Sequence, residues 1–570
     1  MMVINVAKWI NSRVSEICGF LGFVCGAILL GPRNIWFTNL EWLSNDHLHI
    51  DAKAAQISWN FFRHTQLLQW PLTQNPNYGF GSDTLFQTSA GSLLFGVPLK
   101  YLNFLLPDKF QYIGFWIVVC FFLQGYFAAK IVGLWSKNCE FIICSSIFFV
   151  IAPVFIHRMG IMGQLDMAAH WVILAAIYTY LLPEYSIKKW FVLNTIALFI
   201  GPYLALIVYC IFAASLVKTF FENSRQGGRD LIKRFIPIIA IAATFFALGY
   251  NKYGNGSAGP GFFRLNMGSF IYPVIVQDSV QYAMASSIFG RVNAITSRPF
   301  IAFEGEGFNF VGLATLILVP LGVVVFLKSR KKILVRSHLP LLGVSLVLLI
   351  FAFSNRIALG RREIILPSVQ IVDDIRMVFR SATRFAWPAT YLALIYGLIA
   401  LQYRLKRVIA ISILSVILIL QVFDTQPLML NVYSIFHHKD QELLLKSDAW
   451  NSLGESVDSL VMVPTFDYVS DGKSLDAEIF FDNKVWFRLM QFASVHNLRT
   501  NFVFSGRPLS RYITESNIDV SVDLNRGLYA DKTIYVFANK RTWESSLQNL
   551  VSKTDFTSRI IDGFYLIIKK

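Results

Sequence analysis

The stretch NDHLHIDAKAAQISWNFFRHTQLLQWPLTQNPNYG (residues 45–79) follows directly after the first hydrophobic segment of the chain. It places acids, histidines and an arginine beside an apolar segment, where charged groups are costly to keep. Such a polar loop next to a membrane span is typical of a region that handles a polar ligand. We therefore expect functional residues in this loop and a mainly structural role for the rest of the chain.

The composition is that of a polytopic membrane protein. Of the 570 residues, 55% are hydrophobic and 15% are charged, whereas about a quarter of the residues in soluble domains are charged. The net charge of +16 could suggest a nucleic-acid partner, but the Lys and Arg residues form short clusters between apolar segments. We therefore predict membrane lipids, and no nucleic acid, as partners.

Apolar segments recur along the chain, and roughly 17–25 such residues span a bilayer. They predict about eleven transmembrane helices, near residues 15–32, 111–134, 140–156, 166–183, 189–201, 204–221, 236–250, 309–327, 338–354, 386–402 and 406–423. The break after the fifth of these rests on Gly201-Pro202, which predicts either a turn between two helices or a kink in one. The moderately apolar segment 89–106 is interpreted as part of the first external loop.

Basic residues predict which side each loop faces. With a cytoplasmic N-terminus, alternate loops are rich in Lys and Arg, as the positive-inside rule requires. The opposite side receives the large first loop (residues 33–110), three later loops (157–170, 251–309 and 355–384) and the C-terminal region. The loop 355–384 breaks the rule with six arginines. An anionic ligand is a reason to keep them there, since guanidinium groups bind phosphate bidentately.

The composition changes near Lys446. Residues 459–464, 533–538 and 563–569 predict short strands, and residues 542–551 predict a helix. We therefore predict a transmembrane domain over residues 1–430, followed by a small extramembrane α/β domain over residues 431–570.

The first loop holds two candidate catalytic acids, Asp46 and Asp51. A carboxylate at the membrane surface can take the proton from an acceptor hydroxyl as that hydroxyl attacks an activated carbon. The structural alternative is that Asp51 serves as the N-cap of the helical run that follows it. Helical spacing puts Trp59, Phe62 and Arg63 on one flank, where the rings are expected to be interfacial anchors.

Two further polar groups lie at the ends of predicted spans. One external turn carries His157, Arg158, Gln164, Asp166 and His170, which is either a ligand site or an ordinary interfacial turn. The segment GEGFNF (residues 305–310) offers either a ligand-facing acid or a simple re-entry turn.

Motifs of other enzyme classes are missing from the sequence. There is no Walker A motif, no GxSxG, no HExxH and no GxGxxG between a strand and a helix. The six cysteines lie in or beside apolar segments without the spacing of a zinc site, so we predict neither disulfides nor a structural metal. External chemistry has no access to nucleotide sugars, so an enzyme there needs a donor delivered through the bilayer, such as a polyprenyl-linked sugar.

Several stretches, in order, resemble a family of uncharacterised bacterial polytopic proteins grouped with GT-C-type membrane glycosyltransferases. They are WNFFRHTQLLQWPLTQNPNYGF, LPDKFQYIGFW, CFFLQGYFA, FFVIAPVFIHRMG, HWVILA, GEGFNFVGL and VFRSATRFAWPATY, and they span residues 36–424. The resemblance implies a GT-C-like fold, a catalytic acid in the first external loop, helices lying on the membrane, a polyprenyl phosphate-linked donor and a soluble C-terminal domain.

The resemblance also ranks the candidate residues. The family's acid stands eight residues before the Trp of its WxFFR pattern, which favours Asp51 over Asp46. Where the family has Asp-Ser near the end of the first loop, this chain reads Thr88-Ser89-Ala90-Gly91. If the reaction needs a second acid, Asp83 or Glu306 must supply it, and a divalent metal is possible but not supported. The substrate-binding candidates are His49 and Arg63 from the loop, and Arg158, His170, Asn309, Arg380 and Arg384 by carry-over.

Together these features predict a glycosyltransferase of the bacterial inner membrane whose active site faces the periplasm. It would transfer a sugar, with inversion, from a polyprenyl phosphate-linked donor to a glycan or lipid acceptor of the cell envelope, such as O-antigen, without a cofactor. Asp51 would be the base, and arginines would neutralise the phosphate. The alternatives are a lipid-linked glycan transporter, a polysaccharide assembly scaffold, or a glycan polymerase or ligase.

Overall fold

The computed structural model describes most of the chain: residues 12–79, 84–86, 91–222, 234–252, 263–277, 281–289, 304–327, 336–360, 362–367, 369–439, 445–463, 483–504, 523–524, 526–537, 540–548, 550 and 555–569. The chain forms two compact units. The first comprises Met1–Asn39, Gln111–Thr244 and Ala258–His437, and the second comprises Leu40–Phe110, Phe245–Ser257 and His438–Lys570. The predicted domain boundary at residue 430 stays a prediction.

Within the described ranges, the helices of eight or more residues are α1 (Val14–Leu30), α2 (Ile50–Arg63), α3 (Leu93–Tyr101), α4 (Ile113–Val132), α5 (Cys139–Val150), α6 (Trp171–Leu181), α7 (Ile187–Ile200), α8 (Pro202–Glu222), α9 (Ile236–Ala247), α10 (Leu313–Leu327), α11 (Leu339–Phe353), α12 (Gln370–Val378), α13 (Trp387–Arg404), α14 (Arg407–His437), α15 (Ala449–Ser456), α16 (Asn483–Val495) and α17 (Lys540–Gln548). The strands are β1 (Val274–Gln277), β2 (Gln281–Met284), β3 (Arg356–Leu359), β4 (Arg362–Ile365), β5 (Ser459–Val463), β6 (Arg499–Thr500), β7 (Thr533–Phe537), β8 (Phe556–Ile561) and β9 (Phe564–Lys569).

Each of the eleven predicted spans contains a helix, namely α1, α4 to α11, α13 and α14. In the part of the chain that the structure describes, four helices are long and apolar enough to cross a membrane: α4, α8, α14 and the run Ala382–Arg404 that includes α13. A fifth candidate is α5 with the following turn Pro153–Ile161, bent by 42°. These long apolar helices make the chain a membrane protein. The other apolar helices are shorter, and the total of about eleven spans stays a prediction.

Small residues allow α1 and α4 to pack closely. A Cβ added at Gly22 would collide with the backbone carbonyl of Phe121, and one added at Gly125 would collide with that of Cys18. Membrane helices associate through van der Waals packing, and small residues let their backbones approach. The first apolar segment is therefore held against the second by its glycines.

Proline shapes the turn that follows α5. Pro153 occupies the first position of the short helix Pro153–Ile156, where its missing N–H costs nothing. This helix continues into a π-helical turn, His157–Ile161. Single π-turns are frequent at functional sites, and this one carries the buried side chain of Arg158.

In the second unit, α2 is enclosed by protein. Trp59 and Phe62 are fully buried and both pack against Phe86, with ring centroids 6.3 and 4.7 Å away. The prediction that these rings are interfacial anchors is wrong, because neighbouring aromatic residues of the first loop cover them. Apolarity alone does not distinguish burial in lipid from burial in protein.

The first loop and the C-terminal region share one hydrophobic core. From α2, Ala54, Ile57 and Phe61 belong to the same buried cluster as Leu460 and Met462 of β5. A hydrogen bond also joins α2 to the C-terminal region, since the Asn60 amide of α2 donates to the Ser494 hydroxyl of α16 at 3.3 Å. The polar loop is therefore anchored by residues more than 400 positions away.

The C-terminal sheet has the order β6-β5-β7-β9-β8. Strands β5, β6 and β7 are parallel, and β9 pairs antiparallel with both β7 and β8. The predicted strands coincide with β5, β7 and β9. The turn between β8 and β9 is Asp562-Gly563, with φ of 50° and 84°, as expected for a two-residue hairpin that needs positive φ at both positions.

Helix α3 lies in the segment that was predicted not to cross the membrane. With nine residues it is too short to span a bilayer. Its Lys100 is 1% exposed, and Nζ lies 4.5 Å from the centroid of the Phe62 ring without a hydrogen-bond partner among the described residues. Burial lowers the pKa of Lys100 from 10.5 to about 8.

This burial makes stability depend on pH. Below pH 8 the amine is charged in both the folded and the unfolded chain, and the fold carries the full cost of burying it; the cost disappears as the pH rises from 8 to 10.5. We expect Lys100→Met to stabilise the protein by about 2 kcal/mol at pH 7, after allowing for the lost contact with the Phe62 ring. Melting temperatures of both proteins in detergent, between pH 7 and pH 10.5, should converge as the pH rises. A constant difference would contradict this explanation.

Candidate functional site

Two arginines share one carboxylate in the first unit. Arg158 donates from Nη1 to Oε2 of Glu306 at 2.5 Å, and its Nη2 donates to the Glu306 backbone carbonyl. Arg384 donates from Nη2 to the same Oε2 at 3.3 Å. Gln164 completes the group, because its Nε2 donates to Oε1 of Glu306 at 2.8 Å. We call these four residues the Glu306 cluster.

Irregular backbone positions every member of this cluster. Arg158 lies on the π-helical turn, Glu306 on the 3₁₀ helix Glu304–Gly307, and Arg384 on the 3₁₀ helix Ala382–Ala386. Each of these segments precedes or interrupts an apolar helix. Irregular backbone in a membrane protein is tolerated where it is buried in protein or lines a polar cavity, and the buried side chains of Arg158 and Arg384 show that these segments are enclosed by protein.

The electrostatics of Glu306 follow from these contacts. Burial alone would raise the pKa of its carboxyl, but the charges of Arg158 and Arg384 and the hydrogen bonds from Arg158 and Gln164 outweigh burial and hold the pKa well below its usual range. A carboxylate held this way is a weak base. Two guanidinium groups contact this one carboxylate, and the charge of Asp166 also acts on Arg384.

Arg384 is further fixed by an aromatic ring. Its guanidinium carbon lies 4.4 Å from the centroid of the Tyr203 ring, and the Tyr203 hydroxyl accepts from the backbone N–H of Ser381 at 3.2 Å. Tyr203 stands just after the Gly201-Pro202 break that separates α7 from α8. Sequence reasoning did not select Tyr203 or rank Gln164 as a site residue. The only signal was their position beside a helix break and within a polar turn.

A buried polar chain lies beside the cluster. His170 is fully buried, its Nδ1 is 2.8 Å from the Tyr391 hydroxyl, and its ring centroid is 4.1 Å from that of Trp387. The Arg158 guanidinium carbon lies 5.8 Å from the same Trp387 ring. His170 therefore lies inside the bundle, and the Trp387 ring is a neighbour of both His170 and Arg158.

Several buried polar atoms around the cluster lack a hydrogen-bond partner among the described residues. They are Nε of Arg384, Oδ1 of Asn309, Nε2 of His170 and Nε1 of Trp387. Asn309 is adjacent to the cluster, since its Nδ2 donates to the Thr383 hydroxyl at 2.6 Å. Buried polar atoms are normally paired, so these four atoms are available to hydrogen-bond a ligand or water.

Two arginines of the loop 355–384 form ion pairs within the loop. Arg356 pairs with Glu363 at 2.9 Å, and Arg376 pairs with Asp373 at 3.1 Å. Arg380 is half-buried, 5.6 Å from the Phe263 ring centroid. Ion pairs within the loop thus explain some of the arginines that we ascribed to an anionic ligand. Arg384 is the arginine of this loop that joins the Glu306 cluster.

The second unit holds the first-loop acids. Asp51 is the second residue of α2, and its side chain is 23% exposed. The N-cap is His49, whose Nδ1 accepts from the Asp51 backbone N–H at 3.2 Å, so the expectation that Asp51 is the N-cap is wrong. The His49 ring is accordingly engaged with the start of the helix, 3.8 Å from the Asp51 carboxylate.

Asp46 and Arg63 are tied to neighbouring segments. Asp46 lies 3.5 Å from Nη2 of Arg488, which also donates to the Ser44 carbonyl. Arg63 is buried and donates to the Asn103 side chain at 2.7 Å and to two backbone carbonyls, those of Pro107 and Asp108. These contacts favour structural roles for both residues. The other candidate acid, Asp83, lies outside the described residues.

Two family models match the chain. The model described as "Domain of unknown function (DUF6311)" matches residues 19–426, and the model described as "DUF6311 C-terminal domain" matches residues 449–569. The chain belongs to the DUF6311 family. The prediction that the chain belongs to an uncharacterised family, with similarity over most of its length, is therefore confirmed. No curated protein matches this sequence.

Two solved structures are similar to the DUF6311 protein at low sequence identity. One is ArnT from Cupriavidus metallidurans in the apo state, 12% identical, with a TM-score of 0.43 over 93% of this chain and 95% of that chain. The other is ArnT from the same organism bound to undecaprenyl phosphate, 12% identical, with a TM-score of 0.41 over 93% of this chain and 96% of that chain. At this level of similarity, function has to be argued from the residues of the DUF6311 protein itself.

The cluster predicts a specific pattern of stability. Glu306→Gln should destabilise the DUF6311 protein by about 3 kcal/mol, because it leaves two buried guanidinium charges without their carboxylate. The double variant Glu306→Gln/Arg384→Gln should recover part of that loss. Melting temperatures in detergent measure both effects.

Glu140→Gln is the matched control for this experiment. It removes the carboxylate of an exposed pair with Arg407, at 3.0 Å, and exposed pairs contribute little to stability. Equal effects of Glu306→Gln and Glu140→Gln would show that the cluster is not a coupled buried unit.

Proposed function

We propose that the protein is a membrane glycosyltransferase that moves a sugar from a polyprenyl phosphate-linked donor to a glycan or lipid acceptor in the bacterial cell envelope. The observation that carries the proposal is the Glu306 cluster, which gathers two buried guanidinium groups around one carboxylate at the ends of membrane helices. A lipid that brings its own phosphate through the bilayer is the anion best matched to that position. The active site is proposed to face the periplasm, in a bundle of about eleven spans with an extramembrane C-terminal α/β domain.

Arg384 and Arg158 are proposed to neutralise the phosphate of the donor. As the bond between the anomeric carbon and the phosphate oxygen breaks, negative charge builds up on that oxygen, and fixed guanidinium groups stabilise it without reorganising. Arg384 is the better direct ligand because Arg158 is fully buried and already donates to Glu306 with both of its terminal nitrogens. Arg380, Asn309 and His170 remain proposed members of the surrounding wall.

Glu306 is proposed to organise the arginines. Its depressed pKa makes it a poor proton acceptor at neutral pH. The same carboxylate keeps two like charges together in a buried position, which is unfavourable without a counter-ion. Glu306 would therefore hold the phosphate-binding groups in place before the donor arrives.

Asp51 is proposed as the general base. It would take the proton of the acceptor hydroxyl as the hydroxyl oxygen attacks the anomeric carbon, and the polyprenyl phosphate would leave with the electron pair of the broken bond. Displacement in one step inverts the anomeric configuration. The accessible carboxylate of Asp51 supports this assignment over Asp46, which faces Arg488.

The transfer reaction tests the base. Purified protein is incubated with radiolabelled polyprenyl phosphate sugars and envelope glycan fractions. We expect Asp51→Asn to lower label transfer about a hundredfold or more, the scale of general-base catalysis, with donor binding unchanged. Wild-type activity in Asp51→Asn would refute the assignment of the base.

Donor binding tests the arginines. Native mass spectrometry with a polyprenyl phosphate should show binding weakened about tenfold or more in Arg384→Gln, since a hydrogen bond to a charged group is worth roughly 1.5–3 kcal/mol. Arg362→Gln is the control because Arg362 is exposed on β4. If Arg384→Gln binds the lipid as wild type does, the phosphate lies elsewhere.

A further inference from the structure

The C-terminal sheet carries a cavity that the transferase proposal does not use. Its volume is about 670 Å³, within the range of roughly 300–1,000 Å³ found for small-molecule sites. It lies on the sheet face formed by Val461 of β5 and Tyr535 of β7, which pack in a separate core from the one shared with α2. The cavity is thus a feature of the second unit alone.

The aromatic wall of the cavity is fixed by its own contacts. The Tyr529 ring packs edge-on against Tyr535 and Phe556, with centroids 4.9 and 5.1 Å apart. The Tyr535 hydroxyl accepts from the backbone N–H of Ala530 at 2.8 Å. A tight turn at Gly527, with φ of 70°, leads into this wall. Such preorganisation lowers the entropic cost of binding a ligand.

The polar lining carries both signs of charge. Arg499 and Lys569 line the cavity together with Asp523 and Asp555, so the formal charges cancel. Lys569 is also paired with Asp531 at 2.6 Å and donates to the Tyr529 carbonyl at 2.8 Å. An anionic ligand such as a lipid phosphate would therefore meet two carboxylates with one lysine already paired.

We propose that this cavity binds a neutral oligosaccharide. Sugar hydroxyls both donate and accept hydrogen bonds, so they can be satisfied by carboxylates and by an arginine in the same site. The apolar face of a sugar ring packs against aromatic side chains such as the half-buried Phe556. An alkyl chain would remove water from the charged side chains of the lining without hydrogen-bonding to them, at a cost in free energy.

The proposal is independent of the transferase activity, because it concerns binding that needs no donor and no transfer. The test is saturation-transfer difference NMR on the full-length protein in detergent. The probes are maltohexaose as a neutral oligosaccharide, a galacturonic acid hexamer as an acidic one, and lysophosphatidic acid as a lipid phosphate.

We expect a saturation-transfer signal from maltohexaose and at least a fivefold weaker signal from the galacturonic acid hexamer. Asp523→Ala and Arg499→Ala should each reduce the maltohexaose signal at least fivefold, and both change residues that are exposed at the surface. Arg559→Ala, an exposed arginine of β8 outside the cavity lining, should keep the full signal. Unchanged melting temperatures establish that the variants are folded.

Three results would overturn the proposal. The first is no maltohexaose signal above that of detergent alone. The second is equal loss in Arg559→Ala and Asp523→Ala. The third is stronger binding of the acidic hexamer or of the lipid phosphate than of maltohexaose.

Discussion

The carboxylate of Glu306, held between the guanidinium groups of Arg158 and Arg384, is the interaction on which the organisation of the first unit depends. It joins three segments that lie far apart in the sequence and that each interrupt or precede an apolar helix. Two buried like charges repel each other strongly where the dielectric constant is low. Glu306 removes that repulsion, so the three irregular segments can pack together inside the bundle.

A different constraint governs the second unit. Its core combines α2 from the first loop with β5 and α16 from the C-terminal region. The loop that carries Asp51 is therefore held by packing against protein, and Asp51 stands at the ordered start of a helix whose N-cap is His49. A carboxylate fixed in this way is better suited to repeated proton transfer than one on an unsupported loop.

Sequence reasoning succeeded where a local pattern decides the structure. Long apolar runs located the helices of the bundle, and short apolar runs located β5, β7 and β9, because these features depend on the pattern within a single segment. Contacts that depend on residues distant in the sequence could not be predicted. Nothing near Asp46 indicates that Arg488 faces it, and nothing near Trp59 indicates that Phe86 covers its ring.

In the candidate site, too, individual residues could be predicted from local sequence but their contacts could not. Arg158, Glu306 and Arg384 were selected individually, by the cost of charge near a membrane and by resemblance, but their meeting at one carboxylate follows only from the packing of three segments. Gln164 and Tyr203 complete the cluster through contacts that no local motif encodes. The neutral-sugar cavity is likewise assembled from all five strands of the C-terminal sheet and had no sequence signal.

The central claim is that the Glu306 cluster receives the phosphate of a lipid-linked donor. A cryo-electron microscopy structure of the protein with an added polyprenyl phosphate tests it most directly. We expect phosphate density within hydrogen-bond distance of the Arg384 guanidinium, with Glu306 still bound to Arg158. Lipid phosphate bound at another position, with the Glu306 cluster unchanged, would contradict it.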